Sequence, residues 1–141
     1  MRILIICSAN SCRSQMAEAF LKELDPTLEV ESAGISPAEK VHPLTVKAMA
    51  EIGYDISKSK TTNINEFVKQ DWDYVITVCD IDKEVCPVFH GNVKFHSSLK
   101  FIDPLSYTGN EEFLYKLIVE TRDYIKTEIT DFYNYFIKNK N

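Results

Sequence analysis

The first twenty residues constrain the fold most, because a buried strand, a short polar loop and a helix follow one another directly. The apolar run 3–6 is typical of a strand covered on both faces of a parallel sheet. After Arg13 apolar residues recur at helical spacing until Asp25-Pro26 ends the pattern. These residues are Met16, Ala17, Phe20, Leu21 and Leu24. The chain therefore begins with a strand–loop–helix unit.

The loop of this unit, residues 7–14, has the features of an anion site. It brings backbone N–H groups and the positive end of a helix dipole to the carboxyl end of a strand. Cys7 opens the loop and Arg13 closes it, with the spacing Cys-x5-Arg. A guanidinium can hold a tetrahedral oxyanion with two parallel hydrogen bonds and press it against the Cys7 sulfur. We interpret Cys7 as the nucleophile; the candidate oxyanion-binding residues are Ser8, Ala9, Asn10, Ser11, Cys12, Arg13 and Ser14.

Simpler interpretations exist for the two cysteines of the loop. Cys7 could be a buried thiol that packs as a small hydrophobic residue, although its place between a strand and a helix argues against this. Cys12 is either an inert neighbour or a second reactive thiol. Asn10 suits the left-handed conformation that lets the loop curl, and the Ser14 hydroxyl can donate to the Cys7 sulfur.

Composition limits the class of protein. With 141 residues, 45% hydrophobic and 26% charged, the chain fits one domain over residues 1–141. It has no apolar run long enough to cross a bilayer and no signal segment, which predicts a cytoplasmic protein without membrane association. A formal charge of −5 argues against nucleic acid as a partner. We expect a monomer.

The rest of the chain alternates strands and helices. Strands are expected at residues 28–33, as an edge strand, and at 73–78 and 93–95; helices are expected from Pro43 to about Ile52 and from Asn110 almost to the end. This order predicts an α/β fold, a single-domain three-layer sandwich with a four-stranded parallel sheet and helices on both faces. Cys7, Cys79 and Asp103 all follow strands, so one pocket at that edge of the sheet could hold all three.

A second group of candidate residues lies in the polar segment 79–87. Cys79 and Cys86 fit no common zinc spacing and the chain has only three histidines, so no metal site is expected. The plain alternative is two unrelated cysteines. Asp103-Pro104 is, on the residues alone, an ordinary turn.

These motifs resemble a known family. Cys-x5-Arg-Ser directly after the first strand is similar to the phosphate loop of the low-molecular-weight protein tyrosine phosphatase superfamily. Residues 10–19, and the pattern Val-Cys-x6-Cys-Pro at 78–87, most resemble its thioredoxin-coupled arsenate reductases. The phosphatases usually carry proline where this chain has Gln15. The resemblance covers nearly the whole chain and implies a low-molecular-weight phosphatase-like fold.

The resemblance implies an arsenate reductase that detoxifies arsenic by a relay of three cysteines. Cys7 would attack arsenate, Asp103 would act as general acid, and Cys79 and Cys86 would carry the disulfide away for reduction by thioredoxin. Reduction of arsenate to arsenite takes two electrons, which is what one dithiol supplies.

Two other functions and one ion site remain open on the sequence. A phosphatase would need only Cys7, Arg13 and Asp103, and residual phosphatase activity would be compatible with the relay. A redox-sensing or oxyanion-binding regulator that does not turn over is a third interpretation. No cofactor is expected. A monovalent-cation site involving Asn10, Glu18 and Ser32 is in doubt, because Ser59 and Thr62 stand where the family often has histidine or aspartate.

Overall fold

The computed structural model describes residues 1–139, which form four strands and three α-helices; the fourth strand follows the third with no helix between them. A 3₁₀ helix precedes the third strand, another precedes the last α-helix, and a π-helical turn follows it. In chain order the elements are β1 (Arg2–Cys7), α1 (Arg13–Leu24), β2 (Glu29–Gly34), α2 (Pro43–Ala50), the 3₁₀ helix Ile64–Glu66, β3 (Trp72–Val78), β4 (Val93–Leu99), the 3₁₀ helix Pro104–Ser106, α3 (Glu111–Phe132) and the π-helical turn Tyr133–Ile137.

The four strands form one parallel sheet in the order β2-β1-β3-β4. Because β1 is central and covered on both faces, residues 3–6 are completely buried, as its apolar run predicts. β2 lies at one edge, as expected from its alternating sequence. Strands that run in the same direction end at the same edge of the sheet, so the segments after β1, β3 and β4 can meet there.

The two faces of the sheet are covered by different layers. Side chains of β1 alternate between the faces: Ile3 and Ile5 join a core with all three α-helices, whereas Leu4 and Ile6 join a smaller core. The helices contribute Met16, Phe20, Met49, Ile118 and Ile125 to the larger core. The smaller core contains Ile64 of the first 3₁₀ helix, Trp72, Val75 and Phe89. The predicted α/β fold class with a four-stranded parallel sheet is confirmed. The placement of helices differs in one respect, because all three α-helices pack on one face and the 3₁₀ helix Ile64–Glu66 packs on the other.

Two element boundaries differ from the sequence expectation by more than one residue, the end of β4 and the end of α2. β4 continues to Leu99 instead of ending at Phe95, because its polar residues 96–98 pair with residues 75–77 of β3 while their side chains stay largely solvent-accessible. α2 ends at Ala50, and the chain turns at Gly53 with a φ of 91°. α3 begins as expected, with the Asn110 side chain accepting a hydrogen bond from the Phe113 N–H at 2.8 Å.

Within residues 1–139, none of the helices combines the length and the apolar character that a membrane crossing requires. That residues 1–141 form one domain stays a prediction, and its last two residues lie outside the described part of the chain.

Candidate active site

The anion loop between β1 and α1 is held in shape from behind. The carbonyl oxygens of five consecutive residues each accept a hydrogen bond from outside the loop. The pairs are Ile35 N to Cys7 O at 3.3 Å, Ser36 N to Ser8 O at 2.9 Å, Ala38 N to Ala9 O at 2.9 Å, Gln15 Nε2 to Asn10 O at 3.0 Å and His42 N to Ser11 O at 3.0 Å. Because the C=O and N–H of a peptide group point in opposite directions, the N–H groups of residues 8–12 turn to the inside of the loop.

Asn10 bends the loop, as the sequence predicts. Its φ is 54°, in the left-handed region, and its side chain is completely buried. The side-chain amide donates to Ser14 Oγ at 2.7 Å and to Ser32 Oγ at 2.9 Å, and the amide oxygen accepts from the Thr62 N–H at 2.9 Å. These three contacts tie the curled loop to the start of α1, to β2 and to the segment after α2.

Cys7 presents its sulfur to the inside of this loop. The Sγ atom lies 3.2 Å from the Asn10 N–H, which donates to it, and 2.9 Å from Ser14 Oγ. Because the Ser14 hydroxyl already accepts from the Asn10 amide, its own hydrogen is free to point at the sulfur. Two donors thus converge on Cys7, which is the arrangement a nucleophilic sulfur needs. Cys7 is a free cysteine in this structure.

Arg13, the first residue of α1, is 3% exposed and points across the loop. Its Nη1 donates to the Phe101 carbonyl at 3.1 Å, and its Nη2 lies 3.6 Å from Asp103 Oδ2. Burial opposes its charge, but hydrogen bonds to Glu84 and the charge of Asp103 outweigh burial and raise the pKa of Arg13 above its ordinary value. Arg13 is therefore a fixed cation at the mouth of the anion loop.

Glu84 occupies the place opposite this cation, a role that the sequence analysis missed. Its two carboxylate oxygens accept from Arg13 Nη1 at 2.7 Å and Nη2 at 2.9 Å, and Oε1 also accepts from Ser8 Oγ at 2.8 Å. Partial burial opposes ionisation, but the Arg13 and Ser8 hydrogen bonds lower the pKa of Glu84. One feature of the sequence could have indicated this role. The segment after β3 starts at the same sheet edge as the anion loop, so an acidic side chain in that segment could reach Arg13.

Cys79 and Cys86 are joined by a disulfide, with their Cα atoms 5.9 Å apart. Cys79 is buried at the end of β3, whereas Cys86 is half-buried. Around Cys86 the segment exposes three aliphatic side chains: Ile81 is 74% exposed, Val85 88% and Val88 68%. The two cysteines are thus a bonded pair, not unrelated residues, and only Cys86 of the pair is partly accessible from the surface.

Asp103 serves the turn and faces the site at once. Its Oδ1 accepts from the Leu105 N–H at 3.0 Å and so begins the 3₁₀ helix, while Oδ2 faces Arg13. A cavity of about 210 Å³ opens beside it; its lining includes Ser8, Asp80, Lys83, Glu84 and Tyr107. The turn interpretation and the site interpretation of Asp103 are therefore compatible.

Cys12 belongs to the core. It is 3% exposed, and burial raises its pKa to about 12. At neutral pH this thiol stays protonated, and the protonated form is the unreactive one. The inert alternative therefore fits Cys12, whose backbone still forms part of the loop.

The residues of the doubtful cation site bond to one another. Ser32 Oγ accepts from the Asn10 amide and donates to Glu18 Oε1, and the Lys22 ammonium lies 2.5 Å from the other Glu18 oxygen. The positive charge next to Glu18 is thus supplied by Lys22. Among residues 1–139, no three His, Cys, Asp or Glu side chains cluster closely enough to hold a metal ion.

Gln15, where the phosphatases usually have proline, is a supporting residue of the site. Its buried side-chain amide donates to the carbonyl oxygens of Asn10 and Lys60, both at 3.0 Å. Proline could make neither contact, so in this chain Gln15 fastens the anion loop to the segment after α2.

Comparison with known proteins places these features in a family. Residues 2–141 match the family described as low molecular weight phosphotyrosine protein phosphatase. An arsenate reductase of Halalkalibacterium halodurans is 40% identical over 131 residues, which cover 92% of this chain and 93% of that protein.

Two solved structures share the fold of this chain and part of its sequence. One is an arsenate reductase in the phosphate binding state, 28% identical, with a TM-score of 0.68 over 92% of this chain and 97% of that one. The other is the Corynebacterium glutamicum thioredoxin-dependent arsenate reductase Cg_ArsC1', also 28% identical, with a TM-score of 0.66 over 94% of this chain and 60% of that one.

Proposed function

This chain belongs to the low molecular weight phosphotyrosine protein phosphatase family, and from that membership we propose that it is an arsenate reductase that forms arsenite and is recycled by thioredoxin. The relatives named arsenate reductase support this activity. The observation that carries the proposal is the Cys79–Cys86 disulfide, whose segment reaches over the anion loop of Cys7 and Arg13 through Glu84. This disulfide is the product that a three-cysteine relay would leave.

The first step uses the anion loop. Arsenate binds to the N–H groups of residues 8–12 and to the Arg13 guanidinium, which leaves the arsenic against the Cys7 sulfur. The Cys7 thiolate forms a sulfur–arsenic bond and displaces one oxygen as water, with a proton supplied by Asp103. The distance of 3.6 Å between Asp103 Oδ2 and Arg13 Nη2 supports this role, because an oxyanion held by Arg13 would lie within reach of the Asp103 carboxyl group.

The second step transfers the electrons. The Cys79 thiolate attacks the Cys7 sulfur, a Cys7–Cys79 disulfide forms, and the electron pair of the broken sulfur–arsenic bond stays on arsenic, which leaves as arsenite. Cys86 then attacks Cys79, so that Cys7 departs as a thiolate and the Cys79–Cys86 disulfide remains. Two thiols have been oxidised and arsenic has gained two electrons, so the step balances.

The third step returns the enzyme to its thiol form. A dithiol protein of the thioredoxin class attacks the disulfide and takes over the oxidised state. The exposed Ile81, Val85 and Val88 give such a protein an apolar surface beside the half-buried Cys86. The free thiols Cys7 and Cys12 fit a reducing compartment, so we place the activity in the cytoplasm, and we expect the enzyme to act as a monomer.

The variant Cys86→Ser tests the relay. It keeps every residue needed to bind arsenate, form the adduct and expel arsenite once, but the disulfide then stays between Cys7 and Cys79. We expect about one equivalent of arsenite per protein, since one dithiol supplies both electrons, and no sustained NADPH oxidation with thioredoxin and thioredoxin reductase. Peptide mapping should find Cys7 joined to Cys79.

The control variant Asp82→Ser changes an exposed residue of the same segment and leaves all thiols in place. It should turn over arsenate continuously. Continuous turnover by Cys86→Ser at the wild-type rate would refute the relay.

A phosphatase is the second candidate, favoured by the placement of Arg13 between the anion loop and Asp103. Cys7, Arg13 and Asp103 would suffice to hydrolyse a phosphate ester, whereas the Cys79–Cys86 pair has no part in that reaction. Hydrolysis of a phosphate ester should therefore be nearly the same in Cys86→Ser and in the wild type. If wild-type protein hydrolyses phosphotyrosine but does not reduce arsenate, the phosphatase is the correct assignment.

A further inference from the structure

We propose that Glu84 is an internal anion that closes the oxyanion site while the Cys79–Cys86 disulfide is present, and that reduction of the disulfide opens the site again. This inference rests on the proposed function, because it requires that the anion loop binds an oxyanion. It adds a gate that makes oxyanion binding depend on the redox state of the two cysteines.

The geometry of the Arg13–Glu84 contact is the first argument. Both guanidinium nitrogens donate to both carboxylate oxygens, at 2.7 and 2.9 Å, and the Ser8 hydroxyl adds a third hydrogen bond. The same planar edge of Arg13 would hold two oxygens of a tetrahedral oxyanion. One guanidinium edge can hold a carboxylate or an oxyanion, not both, so Glu84 competes directly with substrate.

The balance of charge supports the competition. Arg13 is the cation that faces the loop, and it already faces two carboxylates, Glu84 and Asp103. An arsenate or phosphate ion that entered beside a seated Glu84 would meet like charge from both. Oxyanion binding therefore requires that Glu84 leaves.

The disulfide explains why the Glu84 carboxylate stays in contact with Arg13. Glu84 lies two residues before Cys86, whose sulfur is tied to Cys79 at the end of β3. Between the cysteines the chain forms a tight turn, in which the N–H groups of Lys83 and Glu84 donate to the Asp80 carbonyl at 3.0 Å and the Asp80 N–H donates to Glu84 Oε2 at 3.2 Å. The covalent tether restricts the positions that the Glu84 carboxylate can reach, and so raises its effective concentration at Arg13.

Reduction removes the tether. A dithiol reductant gives two electrons and two protons to the Cys79–Cys86 bond, both cysteines become thiols, and the reductant becomes a disulfide. The segment 80–86 is then held by its turn, by the Asp82–Lys100 ion pair and by the contacts of Glu84 with Arg13 and Ser8, without a covalent tether, and an oxyanion can replace the carboxylate. In an arsenate reductase the gate would keep the spent enzyme from binding a new oxyanion before its thiols are restored.

Phosphate titration tests the gate, since phosphate has the shape and charge of arsenate but is not reduced. Calorimetry gives the phosphate dissociation constant of the wild type and of Glu84→Gln, each fully reduced by dithiothreitol and each with the Cys79–Cys86 disulfide verified by peptide mapping. We expect oxidation to weaken phosphate binding by about tenfold or more in the wild type and clearly less in Glu84→Gln. Glu84→Ala should behave like Glu84→Gln.

Asp82→Asn is the matched control. It removes the same charge from the same segment, but the Asp82 carboxylate contacts the Lys100 ammonium on the surface and not the anion loop. Oxidation should weaken its phosphate binding as much as in the wild type. If oxidation weakens phosphate binding in Asp82→Asn as little as it does in Glu84→Gln, the gate is wrong.

Two further outcomes distinguish the possible failures. If oxidised wild type and oxidised Glu84→Gln bind phosphate equally well, or if Glu84→Gln strengthens binding to the same extent in both redox states, the redox gate is wrong while the anion loop stands. If neither protein binds phosphate in the reduced state, the anion site of the proposed function fails, and the gate fails with it.

Discussion

Gly34 lies directly under Ser8, so closely that a methyl group on the Gly34 Cα would lie 2.7 Å from the Ser8 carbonyl oxygen and 3.0 Å from the Asn10 nitrogen. Both atoms belong to the backbone of the anion loop, which cannot move aside as the end of a flexible side chain can. The last residue of β2 therefore sets how closely the loop approaches the sheet.

Gly34→Ala should displace the loop and lower kcat/KM for arsenate by about tenfold to a hundredfold, because misplacing the anion donors by less than an ångström or so weakens transition-state binding. The free energy of unfolding should fall by about 1–3 kcal/mol from overpacking. Gly109→Ala is the control, since the three atoms nearest to its new methyl group all belong to the ring of Phe113, a side chain that is 44% exposed. Steady-state kinetics with thermal unfolding checks both variants; equal activity of both would contradict the close approach.

Arg13→Lys should lower kcat/KM for arsenate by about a hundredfold or more, because an ammonium cannot form the two parallel hydrogen bonds of the guanidinium. Arg122→Lys is a matched control. Arg122 is also buried, but it donates to the Ala48 carbonyl at 2.8 Å in the packing of α3 against α2. This second variant should lose stability and keep near-normal kcat/KM. A loss of activity shared by both variants would point to folding, not to the oxyanion, as the role of Arg13.

Cys12 should resist alkylation in the folded protein. With a pKa of about 12, about one thiol in ten thousand is ionised at pH 8, and burial also blocks access. Iodoacetamide labelling followed by peptide mapping should leave Cys12 unmodified in native protein and modify it in guanidinium chloride, where its pKa returns towards the ordinary 9.0. Rapid native labelling would show that Cys12 is a reactive thiol after all.

The Arg13–Glu84 pair predicts a pH-dependent stability of the oxidised protein. The pKa of Glu84 is lowered in the folded state from its ordinary 4.5. The pair therefore stabilises the folded protein fully above pH 4.5, and this stabilisation is lost as the pH falls through the lower folded pKa. At pH 7 the wild type should exceed Glu84→Gln in unfolding free energy by about 1–3 kcal/mol, since charged hydrogen bonds are lost.

Urea titrations of the oxidised wild type and Glu84→Gln at a series of pH values measure this difference. It should shrink only below pH 4.5, where Glu84 becomes protonated. A difference that stays constant down to the acid limit would mean that the ion pair does not stabilise the oxidised state.

The parts of the site that the sequence predicts are those encoded locally. The strand, the loop and the helix from β1 to α1 are consecutive, so their hydrophobic pattern and the Cys7–Arg13 spacing suffice to place an anion loop. The left-handed Asn10 follows from the same short segment. The role of Glu84 could not be found in this way, because it depends on how segment 79–87 folds back over a loop more than seventy residues earlier in the chain.

Strands at the edges of the sheet are also difficult to predict from a hydrophobic pattern. Residues 96–98 of β4 are polar and mostly accessible, so nothing in their pattern marks a strand; only pairing with β3 makes them one. At the other edge of the sheet, Gly34 ends β2. Its close contact with Ser8 involves two strands and a loop that meet only in the folded chain.

The backbone support of the anion loop has a consequence for the prolines near it. The N–H groups that support the loop come from Ile35, Ser36, Ala38 and His42. The two prolines of this stretch have no N–H group and lie next to these donors: Pro37 lies between Ser36 and Ala38, and Pro43 follows His42. Each proline restricts φ and lowers the conformational entropy of the unfolded chain. The prolines therefore stiffen the segment behind the site and leave all four donors in place. The anion loop is then largely ordered before an ion binds, so binding loses less free energy to the ordering of the loop.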